Sequence, residues 1–206
     1  MYIPKAFRED DIAVLHAFMR EYSFATLITQ QDGIPLANLF PFLLDAERGP
    51  YGTLRGHMAR ANPQWRTFDE TKEALVIFQG PHAYVSPSWY GDEVELSVPT
   101  WNYSVVQAYG LPRLIEENTE LYNILQATVQ TNEASFANPW TIQMPDEQLQ
   151  KKMQAIIGFE IQITRLEGKF KLSQNRSEGD QTRVAAALEE SLSPETAELM
   201  SRRRGK

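Results

Sequence analysis

Two arginines and a histidine in Arg55-Gly56-His57-Met58-Ala59-Arg60-Ala61-Asn62-Pro63 carry the clearest chemical signal in this 206-residue sequence. A strand-like run ends there and a helix start follows, with Asn62 as a capping residue and Pro63 at the first helical position. Free backbone N–H groups at a helix start, beside a guanidinium that donates in pairs, form a site for an anion such as phosphate. A plainer reading stands next to it: an arginine-rich strand end that only pairs with surface carboxylates.

Two further segments have chemical content. Pro81 to Tyr90, followed by Val98 to Tyr103, holds Tyr84, Trp89, Tyr90, Trp101 and Tyr103, which is dense for a loop. Such rings pack a subunit interface or wall a planar ligand, and interface packing is the first expectation for most of them. Lys169 to Arg176 is basic and polar in a row, awkward for a buried strand and suited to phosphate, the edge of a planar ligand, or solvent. The neutral-pH bases are His16, His57 and His82. His16 falls on a first helix as a surface or packing residue, while His57 and His82 sit at the ends of strand-like runs. No HExxH, GxSxG, Walker loop or GxGxxG is present. Acidic pairs such as Asp10-Asp11, Glu116-Glu117 and Glu189-Glu190 read as solvated helix faces or caps.

The elements that must hold these residues follow from periodicity. Ile12, Leu15, Phe18 and Met19 share a helical face after Asp10-Asp11. Phe24 to Thr29 and Leu36 to Leu44, separated by Asp32-Gly33, read as a hairpin, with Pro41 at an edge, bulge or ligand-facing position. Thr53 to His57, Ala74 to Gln79, Ala83 to Ser86 and Ser104 to Tyr109 read as further strands. Helices are expected over Glu116 to Gln130 and Asp146 to Ile156. Gly158 to Arg165 then forms a strand that Glu167-Gly168 turns into Lys169 to Leu172, and the tail from Asp180 is helical with a second start at Ser193-Pro194. Short strands early and helices late predict a mainly β fold, a small antiparallel barrel with α additions. The expected organisation is one domain over 1–206 with a C-terminal helical extension from about 180 to 206.

Composition narrows the function. Hydrophobic residues make up 42% and charged residues 23%, enough for an ordinary core. The absence of cysteine excludes disulfides, thiolate metal sites and cysteine nucleophiles. A net charge of −7 argues against broad nucleic-acid binding, which relies on basic residues displacing phosphate counterions. The first residues lack the pattern of a signal peptide, and no run approaches the roughly 20 apolar residues of a membrane helix, so the expected location is cytoplasmic with no membrane partner.

The strings MYIPKAFRE, LRGHMARANPQW, ALVIFQGPHAYVSPSWY, VPTWNY and IIGFEIQITRLEGKFKLSQNR, in this order, resemble the PaiB-like family of FMN-binding negative transcriptional regulators, from Met1 to about Arg183. The resemblance implies an FMN-binding split barrel like that of pyridoxamine-phosphate-oxidase-type flavoproteins, assembled as a homodimer with FMN at the interface. It makes Arg60 the main phosphate ligand, with Arg55, His57 and Asn62 close by, and sets Asn38 toward the isoalloxazine edge. Trp101, Asn102, Lys171 and Gln174 are expected to complete the pocket, from either subunit. The oxidases of this fold have a basic pair where this chain has Arg60-Ala61; if phosphate binding needs that second charge, Arg55 or His57 must supply it, or the cofactor binds weakly. DNA enters as a partner only through the family's regulatory role. An FMN-dependent oxidoreductase and a haem-binding split barrel, with His57 or His82 as axial ligand, are the alternative functions.

Overall fold

The computed structural model describes residues 1–91, 97–190 and 193–204. Residues 92–96, between the aromatic segments Pro81 to Tyr90 and Val98 to Tyr103, lie outside the described residues, as do 191–192 and 205–206 in the tail expected to be helical.

β1 (Arg8–Glu9) and α1 (Ile12–Glu21) open the chain. α1 buries Leu15, Phe18 and Met19, and His16 with them; His16 Nε2 lies 3.0 Å from the Tyr51 carbonyl oxygen, so this histidine packs and bonds internally. β2 (Phe24–Gln31) and β3 (Ile34–Pro41) form the expected hairpin, in register from Gln31 opposite Ile34 to Phe24 opposite Pro41. Its two turn residues, Asp32 (φ 52°) and Gly33 (φ 80°), are both left-handed, the geometry that matches the twist of two paired strands. A Cβ on Gly33 meets nothing within 4 Å, so Gly33→Ala carries a purely backbone cost. That cost is expected to be about 1 kcal/mol, seen as a lower urea midpoint with an unchanged slope.

Pro41 ends β3, as a residue without an N–H should. A short β4 (Leu43–Asp45) then pairs with β5 (Thr53–Ala59). In β5 the core side chains are Leu54 and Met58, which leaves Thr53, Arg55 and His57 on the other face. β6 (Ala74–Val85), β7 (Thr100–Ile115) and β8 (Ile156–Lys171) are long. α2 (Asn118–Glu133) and α3 (Asp146–Gln154) separate β7 from β8, and α4 (Glu178–Glu190) and α5 (Pro194–Arg204) follow. The sheet runs β3-β2-β6-β7-β8-β5-β4, with β1 pairing β8 off this path.

Two expected breaks are absent. The strands anticipated on either side of Pro81 are one strand, β6, whose in–out alternation slips by one at Pro81: Gln79 and His82 are both exposed with Gly80 buried between them. The turn expected at Glu167-Gly168 is also strand, because β1 pairs there, with Glu9 opposite Gly168 and Arg8 opposite Lys169.

The chain forms two compact units, and it passes between them before α1 and inside β6, β7 and β8. The first comprises Met1–Asp11, Gln79–Val106 and Glu167–Lys206; the second comprises Ile12–Phe78 and Gln107–Leu166. Val85, Val106, Phe170, Leu188 and Met200 are among the core of the first. The second is built around Phe159, whose ring meets Phe40, Phe42 and Phe68 at centroid distances of 5.8, 5.9 and 5.5 Å. No helix among the described residues is long and apolar enough to cross a membrane.

Candidate functional site

In the first unit, strand alternation collects aromatic side chains on one exposed face. β6 contributes His82 and Tyr84, and β7 contributes Trp101 and Tyr103. The His82 and Tyr84 rings lie 6.1 and 6.0 Å from the Trp101 ring, centroid to centroid. Trp101 is 52% exposed, a large apolar surface to leave in water. With Gln79, Ser104 and Val105, His82, Trp101 and Tyr103 line an open groove of about 490 Å³.

β8 adds two cations to these rings. Lys169 Nζ sits 5.1 Å from the Tyr103 ring centroid and 5.7 Å from that of Tyr2. Lys171 Nζ donates to Thr100 Oγ1 and to the Trp101 carbonyl oxygen, both at 2.6 Å. Burial pushes the Lys171 ammonium below its ordinary value, and the neighbouring Lys169 and Arg176 charges push the same way. Among the described residues neither lysine meets a carboxylate. Two neighbouring ammoniums with no counter-charge among the described residues, in a chain of net charge −7, mark a place where an anion is favoured.

Asn102 and Gln174 do not share that face. Asn102 is fully buried: its Oδ1 accepts from Ser173 Oγ at 3.1 Å and its Nδ2 donates to Met200 Sδ at 3.3 Å, tying β7 to α5. Gln174 bonds its own turn, accepting from Leu172 N at 2.7 Å and donating to the Phe170 carbonyl oxygen. It thereby braces the left-handed Ser173 (φ 66°) in the turn that follows β8.

In the second unit the turn after β5 is held from several sides. Asn62 caps a 3-10 turn over Pro63–Thr67, as expected, by accepting from Gln64 N at 3.0 Å. Gln64, 1% exposed, donates through Nε2 to the Leu27 and Leu36 carbonyl oxygens at 3.1 and 3.2 Å. Asn38 Nδ2 donates to Gln64 Oε1 at 2.9 Å, so Gln64 links Asn38 on β3 to Asn62. Arg60 is exposed, and its guanidinium donates to the Gln154 and Ile156 carbonyl oxygens at 2.9 and 3.0 Å. Those two bonds fix its position at the junction of α3 and β8.

Arg55 and His57 share the face of β5 opposite Leu54 and Met58. Arg55 Nη2 donates to Glu120 at 2.7 Å, and its Nε is buried without a hydrogen-bond partner, 3.9 Å from Glu160. His57 Nδ1 is likewise buried and unpartnered, and burial lowers the imidazolium below its ordinary value, so the ring is neutral at pH 7. Glu160, 5% exposed, accepts from Arg48 at 2.7 and 2.9 Å and from Arg113 at 2.6 and 3.0 Å. Burial pushes its carboxyl up, but the two guanidiniums outweigh that and hold it below the ordinary value.

Gln64, Glu160, Arg48 and Arg113 were not singled out by residue type and spacing alone. Glu160 did leave a trace, as a carboxylate between Phe159 and Ile161 in an apolar run, where only a paired charge is tolerated. Gln64 left none.

The family described as "Putative FMN-binding domain" matches residues 1–165. "Protease synthase and sporulation protein PAI 2" of Bacillus subtilis is 38% identical over 205 residues, covering 97% of this chain and 96% of that protein. "Uncharacterized protein AN0679" of Emericella nidulans is 32% identical, covering 92% and 90%. Among solved structures, the flavocytochrome Anf3 of Azotobacter vinelandii superposes with a TM-score of 0.60 at 13% identity, over 88% of this chain and 78% of that one. The "FAD and Heme binding protein" of Mycobacterium smegmatis gives 0.57 at 15%, over 85% and 78%. The fold is that of split-barrel flavoproteins, an antiparallel sheet with helical additions, as the sequence led us to expect.

Proposed function

Because this chain belongs to the FMN-binding domain family that its sequence matches over residues 1–165, we propose that it binds FMN and acts as a flavin-carrying regulatory protein. The observation that carries this reading is the exposed aromatic face of the first unit, bordered by two lysines that meet no carboxylate among the described residues. FMN has a flat ring and a phosphate dianion, and those two needs match a wall of rings and neighbouring cations. Once bound, FMN supplies one- and two-electron chemistry, while the chain binds and orients it.

Each residue has its own part in this reading. Trp101 presents its ring face, and Lys171, with two of its three N–H groups engaged, has one left for a negative oxygen. The family resemblance gives the phosphate instead to Arg60 of the second unit, which two carbonyls fix next to the Asn62 cap, and the variants below distinguish the two placements. Arg55 and His57 lie on the same strand, with Arg55 also serving Glu120. Asn38 is assigned to the ring edge by the same resemblance. Asn102 and Gln174 do not reach the groove; they brace β7 and the end of β8, which carry Trp101 and Lys171. The assembly in this reading is a cytoplasmic homodimer with FMN at its interface, and DNA is the partner that the resemblance to the PaiB-like regulators implies; the PAI 2 name itself speaks only of protease synthase and sporulation.

An FMN-dependent oxidoreductase is the second reading, favoured by the open groove beside Trp101, which leaves room for a planar substrate. Haem binding through His82, exposed next to Trp101, is the third.

The test is the visible spectrum of purified protein after addition of FMN and desalting. Flavin bands should persist, and Trp101→Ala and Arg60→Ala should each weaken FMN binding about tenfold. A folded protein that neither carries FMN nor takes it up overturns the proposal. Multiple turnovers with a nicotinamide cofactor favour the enzyme reading, and a shifted Soret band on haemin titration favours haem.

A further inference from the structure

On the second unit, the two arginines that grip Glu160 also face outward. Arg48 comes from the turn before β5 and Arg113 from β7, and their side chains remain 43% and 49% exposed. Together with Thr53, Leu111, Gln162 and Glu70 they line a cavity of about 330 Å³. A guanidinium has five N–H groups, and each of these two gives two of them to Glu160, which leaves three on each. The inner edges are fixed by 2.6 to 3.0 Å bonds to a carboxylate that is itself buried, so the outer edges are held in place before any ligand arrives. Flexible surface arginines lose side-chain entropy when they bind; these have already lost it.

The charges on the lining limit what fits. Arg48 and Arg113 are balanced by Glu160, which they consume from within, and by Glu70, an exposed carboxylate with no recorded partner among the described residues. A phosphate or a dicarboxylate placed against the arginines also faces Glu70. A small molecule with one carboxylate and one ammonium satisfies both: the carboxylate docks on the guanidinium edges and the ammonium faces Glu70.

We propose that this cavity is a binding site for a small zwitterion of the α-amino-acid class, independent of any flavin. A natural consequence is control: a ligand that bridges Arg113 on β7 and the Arg48 turn stabilises the second unit by mass action.

Arginine Nε–H resonances give a direct readout on the intact protein. Titration with glycine and with L-glutamine should shift the Arg48 and Arg113 signals saturably, while acetate binds more weakly and inorganic phosphate more weakly than either amino acid. Arg113→Gln, which leaves Glu160 its paired bonds from Arg48, should weaken amino-acid binding about tenfold. Glu70→Gln, at an exposed position, should weaken amino acids but not acetate, and a thermal melt of each variant confirms that it is folded. Absence of a saturable shift up to about 50 mM, well beyond a useful affinity, overturns the site. So does phosphate binding more tightly than the amino acids, or an affinity unchanged in folded Arg113→Gln.

Discussion

Replacing Gly110 by alanine is expected to destabilise the protein by about 3 kcal/mol or more, at the upper end of what overpacking costs. Gly110 is a buried position on β7, where the strand runs against β8. A Cβ there falls inside the contact distance of the Gln162 carbonyl oxygen, 2.7 Å from Ile161 Cγ2 and 2.9 Å from the Gln162 carbonyl carbon. Two of those three obstacles are backbone, which has no rotamer to move to. Relief requires β7 and β8 to separate, at a place where Ile161 is fully buried and the Glu160 network begins. Urea unfolding of Gly110→Ala beside Gly33→Ala separates this from a general intolerance of glycine replacement. The hairpin variant should lose about 1 kcal/mol and the β7 variant several times that. Equal midpoints for the two variants would show that the strands adjust freely, and the tight β7–β8 approach would then have no energetic meaning.

The contrast between these two glycines also shows what the sequence could reveal. Asp32-Gly33 announces itself, because a hairpin turn constrains its own two residues and their neighbours alternate locally. Gly110 does not, since its constraint comes from β8, some fifty positions later. The same distinction explains the two misread strands. Pro81 is a strong local signal for a break, yet β6 continues through it by slipping its alternation. Glu167-Gly168 reads as a turn until β1, at the far end of the chain, pairs with it. Helix starts fared better because caps are local: Asn62 and Pro63 act as their types predict.

The candidate site divides in the same way. The aromatic strings and the basic run after Gly168 were visible as composition, and strand alternation then sorted them: Trp101 outward, Asn102 inward, Lys169 and Lys171 beside the rings. That Asn102 would serve α5 was unreadable, because Met200 and Ser173 are remote in sequence. That Arg55 would answer to Glu120 and Glu160 was equally hidden, since ion pairing depends on which strands and helices meet. An arginine shows its chemistry in the sequence, but its partner is set by the fold.

Glu160 is where that dependence is most costly to disturb. Its carboxylate is buried and accepts four hydrogen bonds from Arg48 and Arg113, with Arg55 at 3.9 Å and Glu120 and Asp45 as the nearby acidic charges. Glu160→Gln keeps the shape and removes the charge, leaving three guanidiniums facing one another around a neutral amide. Breaking one side of a buried ion pair costs about 3–5 kcal/mol, and the half exposure of Arg48 and Arg113 to water places the expected loss near the lower figure. The pH dependence follows from the same carboxyl. Its folded value is held below the ordinary 4.5, so its stabilising contribution is complete above 4.5 and is lost as pH falls through the lower folded value. Protonated glutamic acid and glutamine are close mimics, so wild-type stability should fall toward that of the variant on acidification. Urea midpoints from pH 7 to about pH 3 should therefore start far apart and converge. A gap of constant size across that range would mean that the carboxylate charge does not stabilise the fold, and that the arginines are held by something other than Glu160.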